Sequence, residues 1–240
     1  MKIALLGYGR MGKSIEKIAL QKGHKIVYKT SEKIDSEELS KADVAIDFSV
    51  PEAAFQNIGT CLKNNVPIVS GTTGWLEKYN EAVQICKEEN GAFLYASNFS
   101  IGVNLFFELN ESLAKIMQNF PNYEVEIEET HHTNKLDAPS GTAISLAEQI
   151  IENSAKTNWK LLEETNHFEN GEIPIAAKRI VDVPGTHLVK YASTIDDLEI
   201  KHTAHSREGF AAGAVMAAEW LKDKTGVFGM KDILKSLLLR

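Results

Sequence analysis

The fold of this chain is decided at residues 2–12, which read Lys-Ile-Ala-Leu-Leu-Gly-Tyr-Gly-Arg-Met-Gly. The first five residues are almost wholly apolar, as expected of a parallel strand that is buried on both faces. A Gly-x-Gly-x-x-Gly turn follows, and apolar residues at helical spacing then continue towards Gly23. In this context the glycines permit a tight turn and let backbone amides approach a pyrophosphate. The stretch therefore predicts a Rossmann-type, doubly wound parallel sheet that binds a dinucleotide.

Further strands and helices alternate through the first hundred residues. Strands are predicted at residues 24–29, 43–49, 66–70 and 92–96, and Pro51 is a helix-start signal. Ligands of open α/β sheets bind outside the carboxyl ends of the strands. Residues 71–74 alone fit an ordinary turn equally well, but three such loops together predict one cofactor site. Its predicted residues are Gly7, Tyr8, Gly9, Arg10, Met11, Gly12, Gly71, Thr72, Thr73, Ala96, Ser97, Asn98 and Phe99.

The form of the cofactor stays open at this level. An acidic residue that binds the ribose 2′-hydroxyl is expected near the end of the second strand. Glu32 is a late candidate for that role, whereas Lys29, Thr30 and Lys33 suit a 2′-phosphate. We therefore expect NADH or NADPH, and the two lysines slightly favour NADPH.

The pattern changes after Phe99. A long helix is predicted at 102–120, and closely spaced strands follow at 173–183, 188–194 and 198–205. Such spacing favours a second α+β domain with a mainly antiparallel or mixed sheet. We expect residues 1–99 and 211–240 to form the dinucleotide-binding domain, and residues 100–210 to bind substrate and mediate oligomerisation. Residues 151–171 are polar and are interpreted as a mobile insert.

Candidate reactive residues lie between the strand that begins near Glu124 and an apolar run after Thr142. His131, His132 and Lys135 are able to donate protons or carry positive charge. Pro139 and Ser140 precede the apolar run, which is a helix-start signal, and a helix N-terminus suits an anion. Together they predict a carboxylate pocket with a proton donor, although an exposed His-His pair is the alternative.

We predict no metal site, because no cysteine or third histidine lies at ligand spacing near the His-His pair. The nearby glutamates are interpreted as a mostly solvated strand face or an oligomer interface, without a catalytic role. They are Glu124, Glu126, Glu128 and Glu129.

Composition narrows the class of protein. A formal net charge of −7 argues against general binding to nucleic acid or to anionic membranes. No apolar run is long enough for a membrane span, and Met1-Lys2 leads directly into a strand rather than a signal peptide. Cys61 and Cys86 fall in separate predicted helices, which favours free thiols over a disulfide. The expected compartment is the cytoplasm.

The chain resembles the 4-hydroxy-tetrahydrodipicolinate reductase (dihydrodipicolinate reductase) family of bacterial lysine and diaminopimelate synthesis. The resemblance is carried by residues 7–12, 71–74, 96–104 and the tail 199–211. Its most specific part is residues 129–143, Glu-Thr-His-His-Thr-Asn-Lys-Leu-Asp-Ala-Pro-Ser-Gly-Thr-Ala. These matches run nearly end to end.

The resemblance implies a reaction and a set of roles. A hydride from the nicotinamide reduces a small cyclic dicarboxylate as water is lost. His131 is implied as the proton donor and Lys135 as a second donor. The substrate carboxylates are implied to bind His132, Ser140, Gly141 and Thr142. The family is implied to form homotetramers through its sheet domain. Four further histidines match no role and are interpreted as surface or sheet residues: His167, His187, His202 and His205.

Two alternatives are distinguishable by sequence. A related NAD(P)-dependent imine or amino-acid dehydrogenase is expected to lack the combined His-His-x-x-Lys and Pro-Ser-Gly-Thr motifs. A non-catalytic NAD(P)-sensing protein has no need for either His131 or Lys135. Both motifs are present in this chain.

Overall fold

The chain divides into two compact units. The computed structural model describes residues 1–162, 169, 171–206 and 208–238. Unit 1 contains Met1–Ile101 and Glu208–Arg240, and unit 2 contains Gly102–Arg207. Residues 163–168 and 170, which belong to the predicted insert and include His167, lie outside the described residues. Arg207 of the tail motif also lies outside them. Across the described ranges, no helix combines the length and apolar character needed to cross a membrane.

Helices and strands alternate in unit 1, and strands dominate unit 2. The strands are β1 (Lys2–Leu6), β2 (Lys25–Thr30), β3 (Val44–Asp47), β4 (Ile68–Ser70), β5 (Ala92–Tyr95), β6 (Glu124–His131), β7 (Asn158–Leu161), β8 (Glu172–Arg179), β9 (Gly185–Ala192), β10 (Asp197–Ala204) and β11 (Gly226–Phe228). The α-helices are α1 (Arg10–Gln21), α2 (Ser36–Leu39), α3 (Pro51–Lys63), α4 (Tyr79–Glu88), α5 (Ile101–Met117), α6 (Gly141–Glu152), α7 (Glu208–Leu221) and α8 (Met230–Leu238).

Unit 1 is a parallel sheet with helices on both faces. Its described strands pair in the order β11-β5-β4-β3-β1-β2, and every pairing is parallel. Ile3 and Leu5 pack in a core with α1, α7 and α8, whereas Ala4 and Leu6 pack in a second core with α2, α3 and α4. Successive side chains point to opposite faces, so the apolar run of β1 fills both cores. The predicted doubly wound fold is confirmed.

Unit 2 contains a mixed sheet with the order β10-β9-β6-β8-β7 in its described residues. The pairings of β9 with β10 and β6 are antiparallel, and those of β8 with β6 and β7 are parallel. One face packs on α5 and α6, where Val125 and Ile127 share a core with Leu146 and Ile150. This arrangement confirms the expected second α+β architecture with a mixed sheet.

Two short strands were not predicted. β7 lies inside the segment interpreted as a polar insert, and its Trp159 packs against the unit 2 core. β11 has three residues and pairs with β5 at the edge of the unit 1 sheet. Strands of three or four residues carry little periodic signal, and neither of these two has the apolar run that indicated the equally short β4. The thiols are as predicted, since Cys61 and Cys86 are both free and buried.

Candidate active site

The glycine-rich loop leaves the N-terminus of α1 open. Gly7 has φ +87°, and a Cβ there would lie 2.2 Å from the carbonyl oxygen of Phe48. A Cβ at Gly12 would lie 2.3 Å from the carbonyl oxygen of Gly7, whereas a Cβ at Gly9 would meet nothing within 4 Å. No side chain caps α1, and no acidic residue lies in its first turn. The first-turn amides are therefore suited to an anion such as a pyrophosphate.

Phe48, which follows β3, joins the three predicted cofactor loops. Its backbone carbonyl contacts the Gly7 turn, and a Cβ at Gly71 would lie 2.3 Å from its ring. The Phe48 and Phe99 ring centroids are 5.6 Å apart. The loops after β1, β4 and β5 thus lie around one half-buried aromatic side chain at the same edge of the sheet. Sequence reasoning missed Phe48, although it too follows the carboxyl end of a strand.

Asp47, at the end of β3, fixes the neighbouring loops. Its buried carboxylate accepts hydrogen bonds from Ser49 Oγ (2.7 Å), Asn57 Nδ2 (2.9 Å), Ser70 Oγ (2.9 Å) and Thr72 Oγ1 (2.8 Å). Burial raises the pKa of Asp47, and the four hydrogen bonds oppose that rise. These bonds tie the loop containing Thr72, a predicted cofactor residue, to β3 and α3.

A cavity of about 200 Å³ lies beside the glycine-rich loop and the end of β2. Its lining includes Gly7, Tyr8, Gly9, Thr30, Ser31 and Glu32. Lys29 does not line this cavity; its Nζ binds Glu16 Oε1 and the Tyr8 hydroxyl, both at 3.1 Å. Hydrogen bonds from Tyr8 and Lys29 lower the pKa of Glu16, so the carboxylate stays charged opposite Lys29.

The centre of the unit 2 site is Glu129, and its interpretation as solvated was wrong. Glu124 and Glu126 are exposed and Glu128 is half-buried, but Glu129 is 0% exposed. Its backbone position continues the alternation of Val125 and Ile127, so its side chain points into the protein. The alternation was visible in the sequence, and it was the signal that could have identified Glu129.

Two donors compensate the buried carboxylate. The backbone N–H of Ser140 lies 3.1 Å from each carboxylate oxygen of Glu129. Arg179, at the end of β8, places Nη1 at 3.4 Å and Nη2 at 3.3 Å from Oε1. The same guanidinium donates to the carbonyl oxygens of Lys135 and Asp137, at 3.4 and 2.6 Å. Arg179 therefore joins Glu129 to the loop that carries Lys135.

Two histidines face the other carboxylate oxygen. Oε2 of Glu129 is 3.6 Å from His131 Nδ1 and 3.7 Å from His187 Nε2. Burial lowers the pKa of His131, while the Glu129 charge acts in the opposite direction. Burial lowers the pKa of His187 to about 3, so this imidazole is neutral near pH 7. His187 is a sheet residue, as one of the two interpretations had it, but it is buried beside His131 rather than on the surface.

The cluster of Glu129, His131 and His187 has the residue types of a metal site, which was not expected from the sequence. Glu129, His131 and His187 place one potential ligand atom each within 4.8 Å of one another. The prediction that no third histidine lies near the pair was therefore wrong, because His187 is distant along the sequence but lies beside His131 in the fold. The Arg179 guanidinium already places a positive charge against the same carboxylate. A metal cation would have to compete with it.

The other predicted residues lie on the loop and helix that follow β6. Lys135 Nζ pairs with Asp137 Oδ2 at 2.7 Å, and the side chain of His132 is half-buried. Ser140 is the N-cap of α6 and accepts a hydrogen bond from the Ala143 amide at 3.2 Å. The amides of Gly141 and Thr142 are in the first turn, where they have no intrahelical partner. Unit 2 thus combines basic side chains with a helix N-terminus that is suited to an anion.

A doubly wound sheet with a glycine-rich loop and a second unit with basic residues at a helix N-terminus define the class of Rossmann-type, NAD(P)-binding oxidoreductases. The family model described as the N-terminus of dihydrodipicolinate reductase matches residues 1–99. The model described as the C-terminus matches residues 102–234. The chain belongs to the dihydrodipicolinate reductase family.

Relatives agree with this assignment. A protein from Christiangramia forsetii named 4-hydroxy-tetrahydrodipicolinate reductase is 59% identical over 239 residues, which is 99% of each chain. A dipicolinate-bound dihydrodipicolinate reductase from Paenisporosarcina sp. TG-14 has a similar fold, with a TM-score of 0.78 at 23% identity over 95% of this chain and 97% of that one. A probable dehydrogenase from Thermotoga maritima is less similar, with a TM-score of 0.55 at 9% identity over 90% of this chain and 85% of that one.

Proposed function

We propose that this chain reduces 4-hydroxy-tetrahydrodipicolinate with NAD(P)H in lysine and diaminopimelate synthesis. The substrate takes up a hydride and a proton and loses water, which gives tetrahydrodipicolinate and NAD(P)⁺. The observation that carries the proposal is the 59% identity, over 99% of both chains, to the relative that bears this name. The two motifs that separate this family from a related imine dehydrogenase or a sensor are present.

Unit 1 supplies the cofactor site in this proposal. The uncapped N-terminus of α1 and the open space at Gly9 fit a pyrophosphate. The residues that would hold the cofactor are Gly7, Tyr8, Gly9, Arg10, Met11, Gly12, Gly71, Thr72, Thr73, Ala96, Ser97, Asn98 and Phe99. The nicotinamide supplies the hydride. The protein fixes the loops that surround it through Phe48 and Asp47.

Unit 2 supplies proton transfer and substrate binding. His131 donates the proton, since histidine titrates closest to neutral pH and its ring lies in a buried cluster. Lys135 supplies a second donor and positive charge. The substrate carboxylates bind His132, Ser140 and the amides of Gly141 and Thr142, where the dipole of α6 favours an anion.

For the cofactor we propose a preference for NADH over NADPH. Glu32 lines the cavity at the end of β2 and would accept a hydrogen bond from the ribose 2′-hydroxyl but repel a 2′-phosphate. Lys29, one of the residues considered for phosphate binding, is engaged with Glu16 and Tyr8. Its charge is therefore already balanced.

Oxidation of NADH and NADPH, measured side by side with freshly generated substrate, tests this function. We expect substrate-dependent oxidation of both cofactors, with the higher kcat/KM for NADH. Glu32→Gln should reduce the ratio of kcat/KM for NADH to kcat/KM for NADPH. The matched control is Glu37→Gln, which replaces an exposed glutamate on α2. Absence of turnover with either cofactor, despite cofactor binding, would reject the function. A higher kcat/KM for NADPH would reject the preference alone.

The assembly we propose is a cytoplasmic homotetramer formed through the unit 2 sheet. Supporting it, the face of this sheet that bears Glu126 and Glu128 also carries Lys178 and Lys190 in ion pairs. Light scattering after size-exclusion chromatography should give the mass of four chains, and the mass of one chain would contradict the assembly.

A further inference from the structure

Glu129 is a fully buried carboxylate that the reaction described above does not use. Removing a carboxylate from water costs free energy, which paired charges and hydrogen bonds offset. A buried ion pair is weak evidence for a stabilising role, because apolar residues of similar volume often serve stability as well or better. The Glu129–Arg179 pair therefore calls for an explanation other than stability.

The position of Glu129 behind His131 gives that explanation. Nδ1 of His131 is buried and has no hydrogen-bond partner among the residues that the structure describes. Glu129 Oε2 lies 3.6 Å from it, so a small approach would make a hydrogen bond. A carboxylate that accepts from Nδ1–H fixes the tautomer of the ring and leaves Nε2 for proton exchange. The absence of a side chain at Gly185 leaves room beside Nε2 of His131, because a Cβ at this position would lie 3.2 Å from that nitrogen.

The same carboxylate also holds the helix that follows. Both oxygens of Glu129 accept from the Ser140 amide, directly before the first turn of α6. A single side chain therefore contacts both the backbone of the proposed carboxylate site and the space behind the proposed proton donor. A shift of the Glu129 side chain would therefore affect both the N-terminus of α6 and the orientation of His131.

We infer that Glu129 is a positioning residue, which orients His131 and the N-terminus of α6 for the reaction. The inference rests on the proposed function, in which His131 donates a proton. The charged and titratable groups around His131 are Glu129, Lys135, Asp137, Arg179 and His187. Lys135 and Arg179 favour the neutral ring, whereas Glu129 and Asp137 favour the protonated ring. Glu129 therefore also keeps the proton available on His131.

The Glu129→Gln variant tests the inference, because it keeps the shape of the side chain and removes its charge. We expect kcat to fall about tenfold or more. The protonated form of His131 predominates below its pKa, which the Glu129 charge raises, so the loss of kcat should begin at a lower pH in the variant than in the wild type. Glu129→Asp should restore the position of this limb, because it restores the charge. Glu128→Gln, one residue away and paired with Lys178 at the surface, is the control.

The outcomes separate positioning from a structural role. A fall in kcat without a shift of the pH limb, or no change at all, would overturn the inference. An unchanged dissociation constant for NADH reports that unit 1 is intact in the variant. Wild-type chain without turnover would instead reject the proposed function.

A measurement on the wild type decides the matter if Glu129→Gln fails to fold. Long-range ¹H–¹⁵N NMR of the histidine rings, with His131 assigned by its absence in His131→Gln, reports which nitrogen carries the proton. We expect neutral His131 to be protonated at Nδ1. Protonation at Nε2 would overturn the inference whether or not the enzyme turns over.

Discussion

Neighbouring glutamates on strand β6 have different environments. The strand and the helix start at Ser140 were predicted from the sequence, because each depends on nearby residues. The partners of Glu129 were not predicted, since Arg179 and His187 lie 50 and 58 positions further along the chain. The alternation of β6 could have indicated that Glu129 is buried, although it was interpreted as solvated, but only the fold supplies the cation that makes burial tolerable.

His131→Gln should lower kcat by roughly a hundredfold or more, because a positioned general acid contributes on this scale. The dissociation constant of NADH should stay close to that of the wild type, since the proposed cofactor residues all belong to unit 1. Steady-state kinetics and fluorescence titration measure the two quantities. His205→Gln, which replaces an exposed histidine of unit 2, serves as the control. Equal turnover in His131→Gln and the control would remove His131 from its role.

Elements were predicted to within a few residues wherever they are long or begin with a clear signal. Pro51 starts α3 and Ser140 caps α6, as expected. The short strand β11 was missed, because its place in the sheet depends on pairing with the distant strand β5. Strand β7 was missed because its four residues lie in a segment that is mostly polar. The loops at the carboxyl ends of β1, β4 and β5 were predicted, whereas the role of Phe48 in joining them was not.

Asp47→Ala tests how the elements of unit 1 are joined. The substitution leaves four side-chain donors without their acceptor in the protein interior. We expect the free energy of unfolding to fall by about 3 kcal/mol, because unsatisfied buried polar groups carry penalties of this order. Chemical denaturation measures the change. Asp223→Ala, at an exposed position after α7, should leave stability nearly unchanged, and an equally small effect of Asp47→Ala would contradict the network.

Buried histidines make the stability of the folded chain depend on pH. The pKa of His187 is about 3 in the folded chain, against 6.5 for an unperturbed histidine. Below pH 6.5 the unfolded chain therefore binds a proton that the folded chain does not, so stability present above that pH is lost as the pH falls towards 3. Between pH 7 and pH 5 this group alone should reduce the free energy of unfolding by about 2 kcal/mol.

His187→Gln should remove that part of the pH dependence. We expect the difference in unfolding free energy between pH 7 and pH 5 to shrink by about 2 kcal/mol relative to the wild type. Denaturant titrations at the two pH values measure it, with His205→Gln as an exposed control. An unchanged difference would show that His187 is not held neutral in the folded chain.

In the proposed reaction, this chain passes a hydride from the nicotinamide to the ring of 4-hydroxy-tetrahydrodipicolinate. The most direct test uses NADH deuterated at C4 of the nicotinamide, with mass spectrometry of the product and a parallel measurement of NAD⁺. We predict tetrahydrodipicolinate that carries one deuterium per molecule, formed in equal amount to NAD⁺. Product without deuterium, or oxidation of NADH without this product, would contradict hydride transfer from the nicotinamide to this substrate.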